Sequence, residues 1–447
     1  MSHLKSVYFL FTCCIAFLFI SCGPDEEISN LDPHFSLDVQ LEYLYGDSRA
    51  LIIPDSEDLS SIPFDPKNQL TEEKVLLGKF LFHETGLAVV PKTEAGRGTY
   101  SCATCHHTAA GFQSGILQGL GEGGSGFGMM GEGRLLGEGY DKTNTDMQPI
   151  KSPTIVNTAY QEVMLWNGQF GALGINKGTE NQWSAGTPKE TNHLGFSGLE
   201  IQAIAGLGVH RMDCQPEMIT QSNYKTYFDQ AFPNVPQHER YTKINAGLAI
   251  AAYERTVLSN EAPFQFWLKG DRGAMTDEQT EGALLFFGKA RCYECHDGPG
   301  LNGMGFHALG MKDLDHTSIL GEVDENTRKG RGGFTARQED DYKFKTPTLY
   351  NLKSASHLGH GGSFSTIREV IEYKNNGVPE NHEVPVSKIS SKFRPLGLST
   401  IEIDQLEAFV KEALFDPNLQ RYTPESTPMN SCFPNADPQS RIDLGCD

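Results

Sequence analysis

The sequence predicts a mainly α-helical protein built as two similar halves, and three observations predict it. Helix-period apolar stripes opened by threonine caps stand near 71–81 and again near 276–287. Each stripe leads toward a Cys-x-x-Cys-His motif, at 102–106 and at 292–296. Strand-like alternation is scarce in the rest of the chain. Its 447 residues amount to about three domain-equivalents at ~150 residues each, enough to bury a sizeable core. With 57 acidic against 37 basic residues the net charge is −20, and no Lys/Arg tract offsets it. Nucleic acid is therefore not an expected partner, because nothing would neutralise its phosphates. No apolar run reaches the ~18 residues that would span a bilayer.

In chain order, the first element is a targeting segment. Lys5 supplies a positive n-region and 7–19 an apolar h-region. Phe19-Ile20-Ser21-Cys22-Gly23 resembles a bacterial lipoprotein lipobox. It implies a signal peptide over 1–21 and an acylated Cys22 that anchors the mature chain by lipid. An ordinary signal peptide cut nearby is the alternative, and either one removes Cys13 and Cys14. The expected location is the periplasmic or cell-surface face of a bacterial membrane. Asp25-Glu26-Glu27 resembles an acidic surface-export tag, and 22–63 reads as a tether and approach segment.

The next elements carry the chemistry. Thr71-Glu72-Glu73-Lys74 opens a helix whose stripe is Leu76, Leu77, Phe80 and Leu81, with acids placed at its positive end. Thr276-Asp277-Glu278-Gln279 opens its counterpart, with Ala283, Leu284, Phe286 and Phe287. Further helices are expected over 154–166, 244–258 and 399–414, the last with a Ser399–Glu402 capping box. Each Cys-x-x-Cys-His motif is the attachment signature of a c-type haem. Two cysteines three apart on one turn can each form a thioether to one macrocycle. The histidine four residues after the first cysteine then shares their face and can ligate the iron. Cys102, Cys105 and His106 would hold one haem; Cys292, Cys295 and His296 would hold the other. With 10 Cys and 14 His in the chain, chance supplies roughly 0.007 such matches. A redox dithiol or a zinc knuckle are the alternatives, and zinc pairs usually lack the immediate histidine.

The duplicated arrangement resembles the bacterial di-haem cytochrome c peroxidase family, which includes a tryptophylquinone-forming maturase. The landmarks are Leu77-Gly78-Lys79-Phe80-Leu81-Phe82, Ser152-Pro153-Thr154-Ile155-Val156-Asn157 and Leu165-Trp166-Asn167-Gly168. Gln202-Ala203, Lys345-Thr346-Pro347-Thr348-Leu349-Tyr350-Asn351, His360-Gly361-Gly362-Ser363 and Glu369-Val370-Ile371-Glu372-Tyr373 follow in family order. The resemblance implies two cytochrome c-like domains facing each other. A peroxidatic haem domain would run over 64–262, with an insert at 171–198, and an electron-transfer haem domain over 263–415. Their junction falls near 259–271, and 416–447 is a tail. It also implies that His106 ligates the peroxide-binding iron, His296 the electron-accepting one, that Trp166 lies between the haems, and that Gln202 lines the distal pocket.

Several positions depart from the family pattern. Arg211 stands where the family has a glutamate that moves the peroxide proton, and an arginine does not give up its proton. The expected distal apparatus is therefore His210, Arg211 and Gln202, with His210 moving the proton and Arg211 stabilising charge. The alternative is that His210 points away. The stretch 111–139 contains no histidine to block the first iron, and His107 is too near His106 to reach its other face. The axial position of the second haem falls on Lys374, with Tyr373, Met304 and Met311 as alternatives and a solvated lysine as the bland one. Lys151 replaces an asparagine ligand of the family's interdomain calcium, and an ammonium there argues against that ion.

The glycines of 115–139 do not make a nucleotide loop, since no GK[ST] follows and Glu122 and Glu132 would repel phosphate. They suggest a close-packed or mobile loop at the first haem. Cys432 and Cys446 are expected to pair, which leaves Cys214 free, and His316 and His382 are expected at the surface. The expected activity is reduction of hydrogen peroxide with electrons from a small periplasmic cytochrome c or copper protein. A maturase-like oxidase acting on a partner protein and a pure electron-transfer cytochrome are the alternatives.

Overall fold

The computed structural model describes residues 32–315 and 319–446; the signal segment, Cys22 and His316 lie outside the described residues. The fold is mainly helical, with two short hairpins. The helices that build it are α1 (Pro33–Tyr45), α2 (Glu72–His83), α3 (Gly198–Val209), α4 (Lys243–Thr256), α5 (Pro263–Leu268), α6 (Asp277–Phe287), α7 (Ile367–Asn376), α8 (Thr400–Ala408) and α9 (Pro438–Leu444). The hairpins pair β1 (Gly124–Ser125) with β2 (Leu135–Leu136) and β3 (Phe306–His307) with β4 (Phe344–Lys345).

The two halves are built alike. Thr71 accepts from the Lys74 N–H at 3.2 Å and starts α2. Thr276 and Gln279 cap α6 reciprocally, and Ser399 and Glu402 do the same for α8. In each half the helix before the haem motif crosses a later helix at a glycine. A Cβ on Gly78 would lie 1.8 Å from the Ala249 carbonyl of α4, and one on Gly282 would lie 2.0 Å from the Gln405 carbonyl of α8. Only a missing side chain permits such approach. Around these crossings Phe82 packs on Tyr253 at 5.3 Å and Phe286 on Phe409 at 5.4 Å. Each such buried ring contributes roughly 1.5–3 kcal/mol.

One expectation is overturned. The stretch 154–166 is not a helix: only Thr158–Tyr160 makes a 3₁₀ turn, and Asn157 and Leu165 take left-handed φ of 59° and 70°. Asn157 is fixed there because its side-chain oxygen accepts from the Ser259 N–H at 3.0 Å. Within the stretch 259–271, α5 is a short helix that buries Phe264, Gln265, Trp267 and Leu268. The helix from 399 runs to Ala408 and closes as a π turn over Phe409–Ala413. The tail returns to the first half, where its Cys432–Cys446 disulfide, Pro434 and Asp437 meet the first motif and the glycine loop.

Candidate active site

Each haem motif is a single 3₁₀ turn, Cys102–Thr104 and Cys292–Glu294. In the first, the Ser101 N–H donates to the Thr104 hydroxyl, and both hydroxyls donate to the Pro434 carbonyl at 2.9 and 3.1 Å. His106 Nδ1 lies 3.3 Å from the Phe112 carbonyl; His296 Nδ1 lies 3.1 Å from the Leu301 and Pro347 carbonyls. A carbonyl can only accept, so each Nδ1 carries the hydrogen and each Nε2 keeps its lone pair for a metal. Burial lowers both imidazoles to about 4, so they are neutral at working pH. The four cysteines carry free thiols, and burial pushes Cys105 and Cys292 up to about 12. Among the described residues no cluster of three or more His, Cys, Asp or Glu is arranged to hold a metal ion.

A cavity of about 280 Å³ opens beside the second motif, near the lower end of cofactor sites. Cys292, Cys295, His296, His307, Met311 and Lys374 line it, and it extends to Trp166 and Lys345. Among the described residues Lys374 has no carboxylate partner; its ammonium lies 5.3 Å from the Phe393 ring, and burial lowers it to about 8. The Tyr373 hydroxyl donates to the Leu309 carbonyl at 2.6 Å and is not among the lining groups, nor is Met304. The cavity thus presents Lys374, Met311 and His307 beside the second motif.

Between the motifs the halves clasp each other reciprocally. A constant offset relates Lys151 to Lys345, Asn157 to Asn351 and Trp166 to His360. Asn351 repeats the left-handed turn of Asn157, and the Leu358–Phe364 bridge repeats that of Met164–Phe170. The Lys151 N–H donates to the His360 carbonyl at 3.0 Å, and the Lys345 N–H donates to the Trp166 carbonyl at 2.7 Å. Residue and counterpart exchange the same bond, as in an isologous interface. The Trp166 indole donates to the Lys151 carbonyl at 2.8 Å and meets His360 edge-on at 6.3 Å. His360 stacks on Phe344 at 3.7 Å and lies 3.3 Å from Asp313. The Lys151 ammonium is buried, with its Nζ 3.5 Å from the Ser114 carbonyl.

On α3 the Gln202 oxygen is buried without a partner among the described residues. His210 caps the C-terminus of α3, and its charge is felt at His106. Its Nδ1 lies 2.9 Å from the buried Asp146 carboxylate. Burial would lower the His210 pKa, but Asp146 outweighs it and the net shift is upward. Arg211, expected in the same apparatus, is committed elsewhere. Its guanidinium donates to Glu122 at 2.6 Å and to the Asn144 and Thr145 carbonyls at 2.7 and 3.1 Å. Arg211 therefore clasps the glycine loop rather than offering its charge to a leaving oxygen. That loop is close-packed: Arg134 binds the Leu120 and Gly121 carbonyls and Asp437. A Cβ on Gly121 would lie 2.3 Å from the Asp146 carboxylate, so this glycine makes the room.

Residues 72–273 match the family described as di-haem cytochrome c peroxidase. Cytochrome-c peroxidase IdrP1 of Denitromonas iodatirespirans is 29% identical over 374 residues, which cover 79% of this chain and 84% of that one. The methylamine utilization protein MauG of Methylorubrum extorquens is 27% identical over 362 residues, covering 80% and 82%. Over 72–273 by the family model, and over 79–80% of its length by these two relatives, the chain is similar to di-haem cytochrome c peroxidases. A solved MauG-like protein associated with microbial copper homeostasis shares the fold, with a TM-score of 0.55 at 23% identity, covering 82% of this chain and 94% of that one.

Di-haem peroxidases are oxidoreductases that bind two c-type haems, and both cradles of this chain fit one. The fit rests on paired thiols, a released histidine nitrogen, the cavity at Lys374 and the orphaned Gln202 oxygen. The motifs, Trp166, Gln202, His210 and Lys374 stand out in the sequence; Asp146 and His307 do not, and Glu122 and His360 stand there without sign of these contacts. Asp146 had no motif around it to mark it.

Proposed function

We propose that this di-haem peroxidase reduces hydrogen peroxide to water at the first-half haem and takes electrons in at the second. The observation that carries the reading is the His210–Asp146 pair beside His106. Cys102, Cys105 and His106 would hold one haem, and Cys292, Cys295 and His296 the other. When bound, the first haem supplies an open iron for peroxide and the second supplies stored reducing equivalents. Asp146 holds the proton of His210 on Nδ1, which leaves Nε2 free to take the proton of a bound peroxide and return it. The Gln202 amide orients the substrate oxygen. Trp166 is the aromatic group between the two sites, and Lys374 would help to hold the second haem with its amine. The buried Lys151 ammonium fills the place of the family's calcium, so no calcium is needed. Electrons come from a small periplasmic cytochrome c or copper protein. Lipid at Cys22 keeps the chain at the periplasmic or cell-surface face of the membrane.

The test is steady-state turnover of the holoprotein with reduced cytochrome c and peroxide. Two electrons consumed per peroxide, with loss of that consumption in His210→Ala, supports the reading. Peroxide inertness of the intact holoprotein would overturn it. A maturase-like oxidase is the second reading, favoured by the similarity to MauG and by the Trp166–His360 ring pair.

A further inference from the structure

The helix α1 presents apolar residues on two opposite faces. Leu37 and Leu41 are fully buried against the body, where α1 packs on α6. Phe35, Val39 and Tyr43 are 58%, 54% and 86% exposed. Their spacing of four places them along one outward stripe. Scattered apolar residues at a surface are ordinary; an aligned aromatic and aliphatic row on a single helix is not. The platform is firmly held: Asp38 pairs with Arg272 at 2.7 Å, and the Trp267 indole donates to His34 at 2.8 Å. No Lys or Arg lies on α1, so the stripe is not built to attract anionic phosphate.

The position of α1 in the chain points to an occupant. Only 23–31 separates Cys22 from the Asp32 cap, a reach on the order of 30 Å even fully extended. We propose that α1 lies against the bilayer, with Phe35, Val39 and Tyr43 entering the boundary between headgroups and acyl chains. This rests on the reading of Cys22 as the lipid anchor. Phenylalanine and tyrosine suit that boundary, and a neutral, zwitterionic surface suits an acidic protein with no cation on this helix. Because α1 packs on α6 and Tyr45 meets Phe287 edge-on at 6.2 Å, the helix couples the membrane to the second haem motif. The electron-entry half then sits at the surface where an anchored or surface-bound donor can reach it.

The test uses the full-length holoprotein, purified with its native N-terminus and reconstituted on phosphatidylcholine vesicles. Nitroxide labels are placed singly at Val39→Cys and, as a reference, at Val386→Cys, which is 87% exposed far along the chain. Collision with oxygen is compared with collision with a water-soluble nickel chelate. On vesicles the label at 39 should shift several-fold toward oxygen while that at 386 stays in water. Adding Phe35→Ser and Tyr43→Ser should return the label at 39 to water without changing the haem spectrum. A label at 39 that stays as nickel-accessible as 386 on vesicle-bound protein overturns the membrane seat and leaves the anchor standing. Shielding of 39 from both quenchers without vesicles also overturns it, in favour of a chain segment or second copy on this face. Protein that is not retained on vesicles and lacks lipid at Cys22 overturns anchor and seat together.

Discussion

At the residue scale, the pair to watch is His210 with Asp146. Removing His210 should slow the reaction with peroxide by about 10²–10⁴-fold, the usual range for a positioned proton carrier. The pH dependence has a definite sign. Only neutral imidazole can take the proton, and Asp146 holds His210 above its ordinary 6.5. The acid limb of the rate profile should therefore lie above pH 6.5. In Asp146→Asn only burial and the Arg211 charge remain, and both lower the pKa, so the limb should move to lower pH, as stopped-flow mixing across pH 5–9 would read. Lys374→Ala should convert the second haem from six-coordinate low-spin to a high-spin spectrum; an unchanged spectrum would hand the ligand role to Met311 or His307. Legibility at this scale followed chain distance. The cysteines and histidines of each motif were readable because the chemistry packs them into five consecutive residues. Asp146 was not, because it reaches His210 across 64 residues by way of a glycine that leaves space for it. Arg211 was expected in the distal apparatus, but its left-handed φ of 56° and the buried Glu122 turn it toward the loop.

At the scale of elements, the two glycine crossings are the points at which the halves are built. Gly78→Ala and Gly282→Ala should each destabilise by about 1–3 kcal/mol or more, since the added Cβ meets a backbone carbonyl that cannot rotate away. Gly208→Ala on α3 is the control, because its Cβ would meet nothing closer than the Lys243 ammonium at 3.7 Å. Thermal unfolding of the three holoproteins should show two clear losses and one neutral or stabilised variant. Helices α2, α6 and α8 were legible because caps and acids mark their starts in a few residues. The stretch 154–166 was misread because its apolar spacing imitates a helix stripe. Its left-handed turns at Asn157 and Leu165 are set by Ser259 and by pairing with Phe170, contacts from outside the segment. The reciprocal clasp of 151–170 with 345–364 was present in the sequence as two similar stretches. Only the fold reveals that each gives its amide to the other.

At the scale of the molecule, the tail and the charge shape behaviour far from the haem motifs. The Cys432–Cys446 disulfide closes a loop of 14 residues, worth about 3 kcal/mol in the chain-entropy view. Because Pro434 and Asp437 bind the first motif and the glycine loop, a Cys432→Ser, Cys446→Ser protein should loosen the first haem site before the second. Site-resolved haem spectra during a thermal ramp would check this. A net charge of −20, made more negative by haem propionates, favours a donor with a basic docking face. Turnover with such a donor should fall as ionic strength rises. The central claim is that peroxide is cleaved at the first-half haem with His210, held by Asp146, carrying the proton. Stopped-flow mixing of the intact holoprotein with peroxide, beside His210→Ala and Asp146→Asn, tests it most directly. The account predicts a fast bleach of the first haem, slowed at least 100-fold at pH 7.5 in His210→Ala and given a lower acid limb in Asp146→Asn. Equal rates and equal pH profiles in all three proteins would contradict it.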